Sequence, residues 1–441
     1  MTDASLGGEA LRAIHGVDAI VSGRRSAPRR IVERIRFQLP TGLVLAAVVP
    51  LAFQYDVLTT TSLPNVVNTA IGVAVAVLVG YYALRRLGTY PTMREVGAVL
   101  PVFSVVFMTV AATFLAFRFD YSRFQFLLGY AVAVAWFAGV TYASWRGRRT
   151  CYAVVPVGEA LSIRDVGAAD WAVLDAPVQL PRTCAGVVVD LHADLPKHWD
   201  AYVTGCVLAG VPVYHYKQMR ETLTGRLEIE HLHENILGAH DPHLGYLKIR
   251  RIFDVVTAAT GLLVLAVPLL VLAAVIRWDS PGPALFTQAR VMRGGRVFTM
   301  YKFRTMYAGT SDPRNHEDAM TRTGDARITR IGAFLRRSRI DELPQMVNIL
   351  KGEMSWIGPR PEALPLAAWY RDQLPFYDYR HVVPPGLTGW AQVNQGHVTR
   401  PDDVLSKLHY DFYYVKHVSL WLDLLIVLRT IRTILTGFGA R

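Results

Sequence analysis

Four apolar stretches in the first third of the chain constrain its fold more than any other feature. Each approaches the length of helix, about 20 residues, that crosses the hydrocarbon core of a bilayer. The helices of a soluble core can be equally apolar, but four in succession with short polar links are typical of a membrane domain. The stretches cover residues 39–53, 66–84, 96–117 and 124–145. We therefore predict a four-helix transmembrane domain over residues 39–149, preceded by a tail of residues 1–38.

Basic residues flank these stretches unevenly. Arginines are dense before the first stretch, after the second and after the fourth. The link at 54–65 has none, and the link at 118–123 has only two. Lys and Arg are enriched in the cytoplasmic loops of membrane proteins. The distribution predicts that the amino terminus and everything after Arg149 lie in the cytoplasm.

A fifth apolar stretch, residues 252–276, is long enough to cross a membrane but has unusual flanks. Basic residues lie on both sides of it, so both ends are expected on the cytoplasmic side. Pro268 lies inside it and would break or kink a helix. We predict a re-entrant helix, broken at the proline, that enters the inner leaflet and returns. A full span is the alternative.

Composition indicates a mixed architecture with anionic partners. Hydrophobic residues make up 52% of the 441 residues and charged residues 19%, with a net charge of +12. A basic protein beside a membrane favours anionic headgroups or anionic substrates. We expect no nucleic acid partner, because no zinc-finger or other nucleic-acid-binding motif is present.

The three cysteines form no CxxC pair, which predicts reduced cytosolic thiols.

Residues 150–247 alternate short strands and helices. The runs at 152–158, 186–190 and 211–214 are typical of buried parallel strands. We predict a Rossmann-like cytoplasmic domain. It lacks the GxGxxG turn of dinucleotide-binding proteins, so a structural or homo-oligomerising role is favoured over cofactor binding.

The remaining part, residues 248–441, is predicted to be an α+β domain rich in Gly-Pro turns and arginine. A strand pair is expected at 285–288 and 297–303, around Gly294 and Gly295. Alternation along the second strand would place Lys302 and Arg304 on one face, within reach of one anionic ligand. A charged edge of the strand that is exposed to solvent, with no ligand, is an equally good interpretation.

Two adjacent carboxylates, Asp341 and Glu342, lie among arginines in this part of the chain. They fit the first turn of a helix that ends at Gly352, where acidic residues stabilise the exposed N–H groups. A simple acidic cap would explain them. The same helix terminus would also keep a carboxylate ionised, as a nucleophile or metal ligand, and would favour a bound phosphate. The arginines near them in sequence are Arg336, Arg337, Arg339 and Arg360.

From about residue 248 to 436 the chain resembles the bacterial sugar transferases, the monotopic phosphoglycosyl transferases that act on polyprenol phosphates. The resemblance rests on several segments in the family's order, and the four spans and the middle domain resemble its larger members. The segments are 283–288, 301–306, 325–335, 341–345, 354–361, 385–390 and 410–430. The fold class implied is membrane α plus α/β.

The resemblance also implies roles for individual residues. Asp341 would be the nucleophile and a Mg²⁺ ligand, and Glu342 its metal partner or proton acceptor. The other positions would bind phosphates, contact substrate or hold the carboxylate pair. They are Lys302, Arg304, Arg336, Arg360, Gln288, Arg290 and, with a less defined role, Asp423.

The reaction implied joins a UDP-sugar, UDP-glucose or UDP-galactose, to undecaprenyl phosphate. UMP would leave and a phosphosugar-aspartyl intermediate would form before transfer to the lipid. The product, undecaprenyl-diphosphate-sugar, would start exopolysaccharide, capsule or O-antigen synthesis at the cytoplasmic face of the bacterial inner membrane. One-step transfer without an intermediate, and an inactive scaffold of polysaccharide assembly, are the competing hypotheses.

Overall fold

The computed structural model describes residues 35–52, 63–90, 96–145, 150–177, 180–181, 183–229, 244–307, 325–395 and 401–436. The chain divides into two compact units, Met1–Gly225 and Arg226–Arg441. The domain boundaries expected at 38/39, 149/150 and 247/248 stay predictions.

The first unit begins with four apolar helical segments. Three contain stretches long and apolar enough to cross a membrane: Pro64–Leu87, Val99–Ala116 and Arg123–Ser144. The first helical segment, Ile35–Val48, is apolar but shorter than a span. Its helix is interrupted by a π-helical turn. The helices are α1 (Ile35–Leu43, followed by the π turn Val44–Val48 and the α-helical turn Val49–Ala52), α2 (Leu63–Leu87), α3 (Val99–Ala116) and α4 (Arg123–Trp145).

Aromatic rings and small residues hold these helices together. Phe103 on α3 stacks on Phe137 of α4 with ring centroids 5.0 Å apart. Gly80 on α2 faces Phe103, and a Cβ at that position would lie 2.7 Å from the ring. Small residues at helix interfaces allow this close approach inside a membrane, where packing drives association.

The second half of the first unit is a parallel four-stranded sheet in the order β2-β1-β3-β4. The three predicted strands are confirmed, and the half-exposed β2 is an addition. Buried valines of β3 separate two apolar clusters, one on each face. The elements are β1 (Cys151–Val154), β2 (Asp170–Val173), β3 (Cys184–Val189), α5 (Lys197–Leu208), β4 (Val213–His215) and α6 (Tyr216–Thr224).

The structure corrects the expectation of three reduced thiols. Cys151 and Cys184 form a disulfide, and Cys206 is free and buried. The pairing follows from the register, because the two cysteines are partners on the neighbouring strands β1 and β3. A pattern of cysteine spacing cannot reveal such a nonlocal pair.

The second unit is built along one long helix, α7 (Leu244–Asp279). The helix is continuous through Pro268, whereas the sequence predicts a break there. A proline removes one backbone hydrogen bond, and the remaining bonds of a long helix can hold it together. At about 1.5 Å per residue its length is about 54 Å.

One face of α7 is partly covered by the rest of the unit and the other is bare. Ala258 and Ile276 are buried against the globular part of the unit. The opposite face exposes large apolar side chains, among them Leu263, Leu270 and Trp278. An apolar face of this length on a single helix is suited to contact with lipid.

The rest of the unit surrounds an antiparallel strand pair. Left-handed Gly294 and Gly295 form the predicted turn between the strands. A second, parallel pair joins β7 and β8. The elements are β5 (Leu285–Val291), β6 (Val297–Phe303), α8 (Arg330–Ser338), a 3-10 turn (Ile340–Gln345), α9 (Met346–Lys351), β7 (Ser355–Ile357), α10 (Leu364–Gln373), β8 (Gly386–Thr388), α11 (Trp390–Gln395), α12 (Pro401–His417) and α13 (Leu420–Thr436).

Candidate active site

The 3-10 turn between α8 and α9 carries the two adjacent carboxylates. Arg339, in a left-handed conformation with φ 61°, ends α8 and starts this turn. Asp341 and Glu342 follow and are both buried. The helix continues as α9 and stops at left-handed Gly352, as the sequence predicts. The carboxylates therefore lie in the first turn of this helix, on its inner side.

Glu342 is held by several cations. Its Oε1 accepts hydrogen bonds from Arg360 Nη2 at 2.6 Å and Lys302 Nζ at 3.0 Å. Arg339 lies 3.8 Å away. Burial alone would raise the pKa of this carboxyl, but Arg360 and Lys302 outweigh it and hold the pKa well below its usual range. Glu342 is therefore a fixed anion that gathers positive charge at the site.

The cations around Glu342 are themselves affected by burial. Burial lowers the pKa of Lys302 to about 8, against the opposing attraction of Glu342. Burial also lowers the pKa of Arg290 to about 10. The pKa of Lys302 is therefore close to physiological pH.

Asp341 has a different environment from its neighbour. Its Oδ1 is buried and has no hydrogen-bond partner among the described residues. Burial raises the pKa of Asp341, the charge of Glu342 adds to this, and Lys302, Arg360 and Arg336 oppose it. The sequence predicts that the helix terminus favours the ionised form of this carboxylate, whereas its burial in the structure opposes ionisation. A buried carboxylate oxygen without a hydrogen-bond partner is free to contact a bound substrate or a metal ion.

Asn348 fixes the distance between Lys302 and the carboxylates. Its Oδ1 accepts from Tyr301 N at 3.1 Å, and its Nδ2 donates to Thr299 O at 2.7 Å. These bonds fasten α9 to β6 beside Lys302. Asn348 is completely buried, and a single polar residue in a helix gives no sequence signal for such a role.

Arg336 reaches the site from α8. Its Nε donates to Thr305 Oγ1 at 2.8 Å. The helix can approach because Gly332 lies against the backbone of Thr305, where a Cβ would be 2.1 Å from the carbonyl oxygen. Burial lowers the pKa of Arg336, and the nearby Asp341 counteracts this.

Gln288 and Arg290, on β5, complete the predicted group on this side. Arg290 donates to Gln288 Oε1 and to the carbonyl oxygen of Pro361, both at 2.6 Å. The second bond places Arg290 beside the segment that carries Arg360. The site thus combines a held carboxylate, an unpartnered carboxylate and several cations, a set suited to phosphoryl transfer.

Comparison with known proteins agrees with this chemistry. The bacterial sugar transferase family model matches residues 245–437. The UDP-N-acetylgalactosamine-undecaprenyl-phosphate N-acetylgalactosaminephosphotransferase of Aeromonas hydrophila is 42% identical over 376 residues, covering 85% of this chain and 88% of that protein. This chain belongs to the bacterial sugar transferase family.

Other relatives of this sugar transferase match a shorter part of it. UDP-glucose:undecaprenyl-phosphate glucose-1-phosphate transferase of Caulobacter vibrioides is 44% identical over 194 residues, 43% of this chain and 71% of that protein. The protein of the same name in Escherichia coli is 36% identical over 185 residues, 42% of this chain and 39% of that protein. The chain is therefore an enzyme, a transferase.

Arg304 is not directed at the carboxylates of this sugar transferase. Its guanidinium donates to Ser280 O at 2.6 Å, Ser280 Oγ at 2.9 Å and Pro281 O at 2.8 Å. It closes the carboxyl end of α7. Lys302 and Arg304 have different hydrogen-bond partners, because β6 ends at Phe303 and its alternation does not extend to Arg304. A ligand shared by the two stays a prediction.

Asp423 lies in a separate buried cluster. It forms an ion pair with Arg250 at 3.0 Å and accepts hydrogen bonds from Tyr246 at 2.6 Å and Tyr414 at 2.8 Å. These contacts join α13 to the start of α7. Among the described residues, none of its hydrogen bonds or ion pairs reaches Asp341 or Glu342.

Sequence reasoning missed Glu362, which anchors a second charge cluster behind the site. It lies 4.0 Å from Arg290 and 3.7 Å from Arg380, and it also accepts a hydrogen bond from Lys407. Arg380 in turn pairs with Asp411 at 2.8 Å. The sequence signal that could have indicated this role is the position of Glu362 directly after Arg360 and Pro361.

Proposed function

We propose that this protein transfers a sugar 1-phosphate from a UDP-sugar to undecaprenyl phosphate and releases UMP. The observation that carries the proposal is the unpartnered, buried Oδ1 of Asp341 beside the cations that surround Glu342. The names of relatives that match 85% and 43% of the chain support the same overall reaction.

Asp341 is the nucleophile in this proposal. One of its carboxylate oxygens attacks the phosphorus that carries the sugar, and the bond from that phosphorus to the UMP oxygen breaks. An oxygen of undecaprenyl phosphate then attacks the same phosphorus and releases the Asp341 carboxylate. Burial supports this role, because a poorly solvated carboxylate is a stronger nucleophile than a hydrated one.

The cations neutralise the phosphate groups. Phosphoryl transfer depends mainly on positioning and on neutralising charge, and here a diphosphate and a lipid phosphate must meet. Lys302 and Arg360, held by Glu342, lie on one side of the turn, and Arg336 approaches from α8. Glu342 thus acts by holding these cations in place. Arg290, bonded to Gln288 and to Pro361 O, holds the segment that carries Arg360.

Mg²⁺ fits the site as a cofactor. Mg²⁺ prefers carboxylate oxygens and substrate phosphates as ligands. Asp341 offers a free carboxylate oxygen, whereas Oε1 of Glu342 is engaged by Lys302 and Arg360. Bound there, Mg²⁺ would neutralise charge on the diphosphate.

Helix α7 supports a position of the site at the membrane surface. Its start is held by Asp423 through Arg250, and its end by Arg304 through Ser280, so the same unit covers both ends. A helix that crossed the bilayer would have its ends on opposite sides. We therefore propose that α7 lies along the cytoplasmic face of the bacterial inner membrane and does not cross it, with its bare apolar face in lipid.

The sugar is best sought among UDP-hexoses. The Aeromonas hydrophila relative, which matches 85% of this chain, carries N-acetylgalactosamine in its name, and the shorter matches carry glucose. We propose UDP-N-acetylgalactosamine as the first donor to test, before UDP-glucose and UDP-galactose. The lipid-linked product would start exopolysaccharide, capsule or O-antigen synthesis.

UMP release from a panel of UDP-sugars tests the proposal. The full-length protein in detergent, with Mg²⁺ and undecaprenyl phosphate, is expected to release UMP from at least one donor. Asp341→Asn should abolish the release. Failure to release UMP from any donor, with the fold verified by circular dichroism, would instead favour the scaffold hypothesis.

A further inference from the structure

A second group of chemically active side chains lies in the first unit, at the carboxyl edge of its parallel sheet. Asp190 directly follows β3, His192 is two residues further, and His215 is the last residue of β4. Ligands of open parallel sheets bind at this edge. The group has no part in the reaction proposed for Asp341.

The spacing of the three side chains suits one metal ion. Nε2 of His215 lies 3.2 Å from Nδ1 of His192. A carboxylate oxygen of Asp190 and one ring nitrogen of each histidine lie within 4.8 Å of one another. Two nitrogen ligands about 2.1 Å from a tetrahedral ion are about 3.4 Å apart. The two imidazoles therefore have nearly the separation that a shared ion requires.

The orientation of His215 is set by a backbone carbonyl. Its Nδ1 lies 3.4 Å from Val189 O, so this nitrogen is placed to carry the proton. Nε2 is then left with its lone pair directed at His192. Metal-binding histidines usually have this arrangement, with the second ring nitrogen bonded to a carbonyl or carboxylate.

The carboxylate of Asp190 is also fixed before any ion binds. Oδ2 accepts from Glu159 N at 3.0 Å, and Oδ1 accepts from His192 N at 3.1 Å. Gly158, with φ +58°, brings its turn so close that a Cβ would lie 2.4 Å from Oδ2. Each carboxylate oxygen keeps further lone-pair capacity for a cation.

We propose that Asp190, His192 and His215 bind a divalent transition-metal ion such as Zn²⁺. Two imidazoles and one carboxylate favour Zn²⁺ over Mg²⁺, which prefers oxygen ligands. Asp190 is buried, His215 is half-buried and His192 is exposed, so the ion can enter from solvent and keep a water ligand. The ion would tie the end of β3 to the end of β4.

Cobalt titration tests this proposal, because tetrahedral Co²⁺ gives visible absorption bands. The full-length protein, purified without a polyhistidine tag and stripped with chelator, is titrated with Co²⁺ and then with Zn²⁺. One ion per chain with tetrahedral absorption bands is expected, and Zn²⁺ should displace it. His192→Ala and Asp190→Asn should each weaken binding at least about tenfold.

His198→Ala and Asp194→Asn are the matched controls, since both residues are exposed and outside the group. They should bind as the unaltered protein does. Equal Co²⁺ binding by the unaltered protein and by the His192→Ala, His215→Ala double variant would overturn the proposal and leave only a histidine–histidine hydrogen bond. UMP release by these variants reports on the Asp341 site separately.

Discussion

Lys302 Nζ lies 3.0 Å from Glu342 Oε1, and this contact joins the end of β6 to the turn that carries Asp341. Glu342 also forms an ion pair with Arg360. One carboxylate therefore holds cations from two segments that are distant in the sequence. The adjacent carboxyl group of Asp341 has no such partner. Two neighbouring acids thus have opposite pKa shifts, a pattern that marks separate roles at active sites.

Glu342→Gln should cause a severe loss of UMP release and a loss of stability. The change removes the carboxylate that pairs directly with buried Lys302 and Arg360, and breaking a buried ion pair typically costs about 3–5 kcal/mol. Denaturant unfolding and initial rates measure the two effects. Glu342→Asp keeps the charge and should recover part of both. A fully active Glu342→Gln protein would contradict the role assigned to this residue.

Asp341→Asn should abolish activity without lowering stability at neutral pH. Because burial raises the pKa of Asp341, its ionised form is disfavoured in the folded state. Such a group weakens the fold as the pH rises through its titration range, so a neutral amide removes that penalty. Thermal unfolding at pH 7 checks this. A clear drop in stability would show that Asp341 has a structural role.

The rate of UMP release should fall as the pH rises above about 8. Lys302, with its pKa lowered to about 8, loses its charge in this range and no longer neutralises phosphate. Lys302→Arg keeps the charge at higher pH, so its alkaline limb should shift upward even if its rate is lower. Identical alkaline limbs for the two proteins would assign the titration to another group.

Arg304→Lys should destabilise the protein while leaving the rate per folded molecule little changed. The guanidinium makes several buried hydrogen bonds at the end of α7 that a lysine cannot reproduce. Buried bonds to a charged group contribute about 1.5–3 kcal/mol each. Active-site titration and unfolding separate the two effects. Loss of turnover with unchanged stability would instead place Arg304 at the substrate.

Local patterns in the sequence predicted much of the fold. Apolar length identified three candidate spans of the first unit, whereas the first predicted stretch forms a helix shorter than a span. Gly294 and Gly295 identified the hairpin, and Gly352 identified the end of α9. Strand β2 was missed because its residues are only half-buried and form no apolar run. Helix α7 runs through Pro268 because the remaining backbone hydrogen bonds of a long helix hold it together.

The site was predicted less completely, because its energetics are nonlocal. The adjacent acids Asp341 and Glu342 and the arginines near them are visible in the sequence itself. The burial of Asp341 and the anchoring of β6 by Asn348 depend on tertiary contacts. Strand alternation does not predict the orientation of Arg304, because this residue lies one position beyond the end of β6. The predicted homo-oligomer stays a prediction.

The most direct test of the central claim is covalent labelling of Asp341. A UDP-sugar radiolabelled at the sugar-bound phosphorus is mixed with the full-length protein and Mg²⁺, without undecaprenyl phosphate. We expect one label on the peptide that contains Asp341, release of UMP, and discharge of the label when undecaprenyl phosphate is added. Asp341→Asn should take up none. UMP release only in the presence of the lipid, with no label on the protein at any time, would contradict the intermediate and favour one-step transfer.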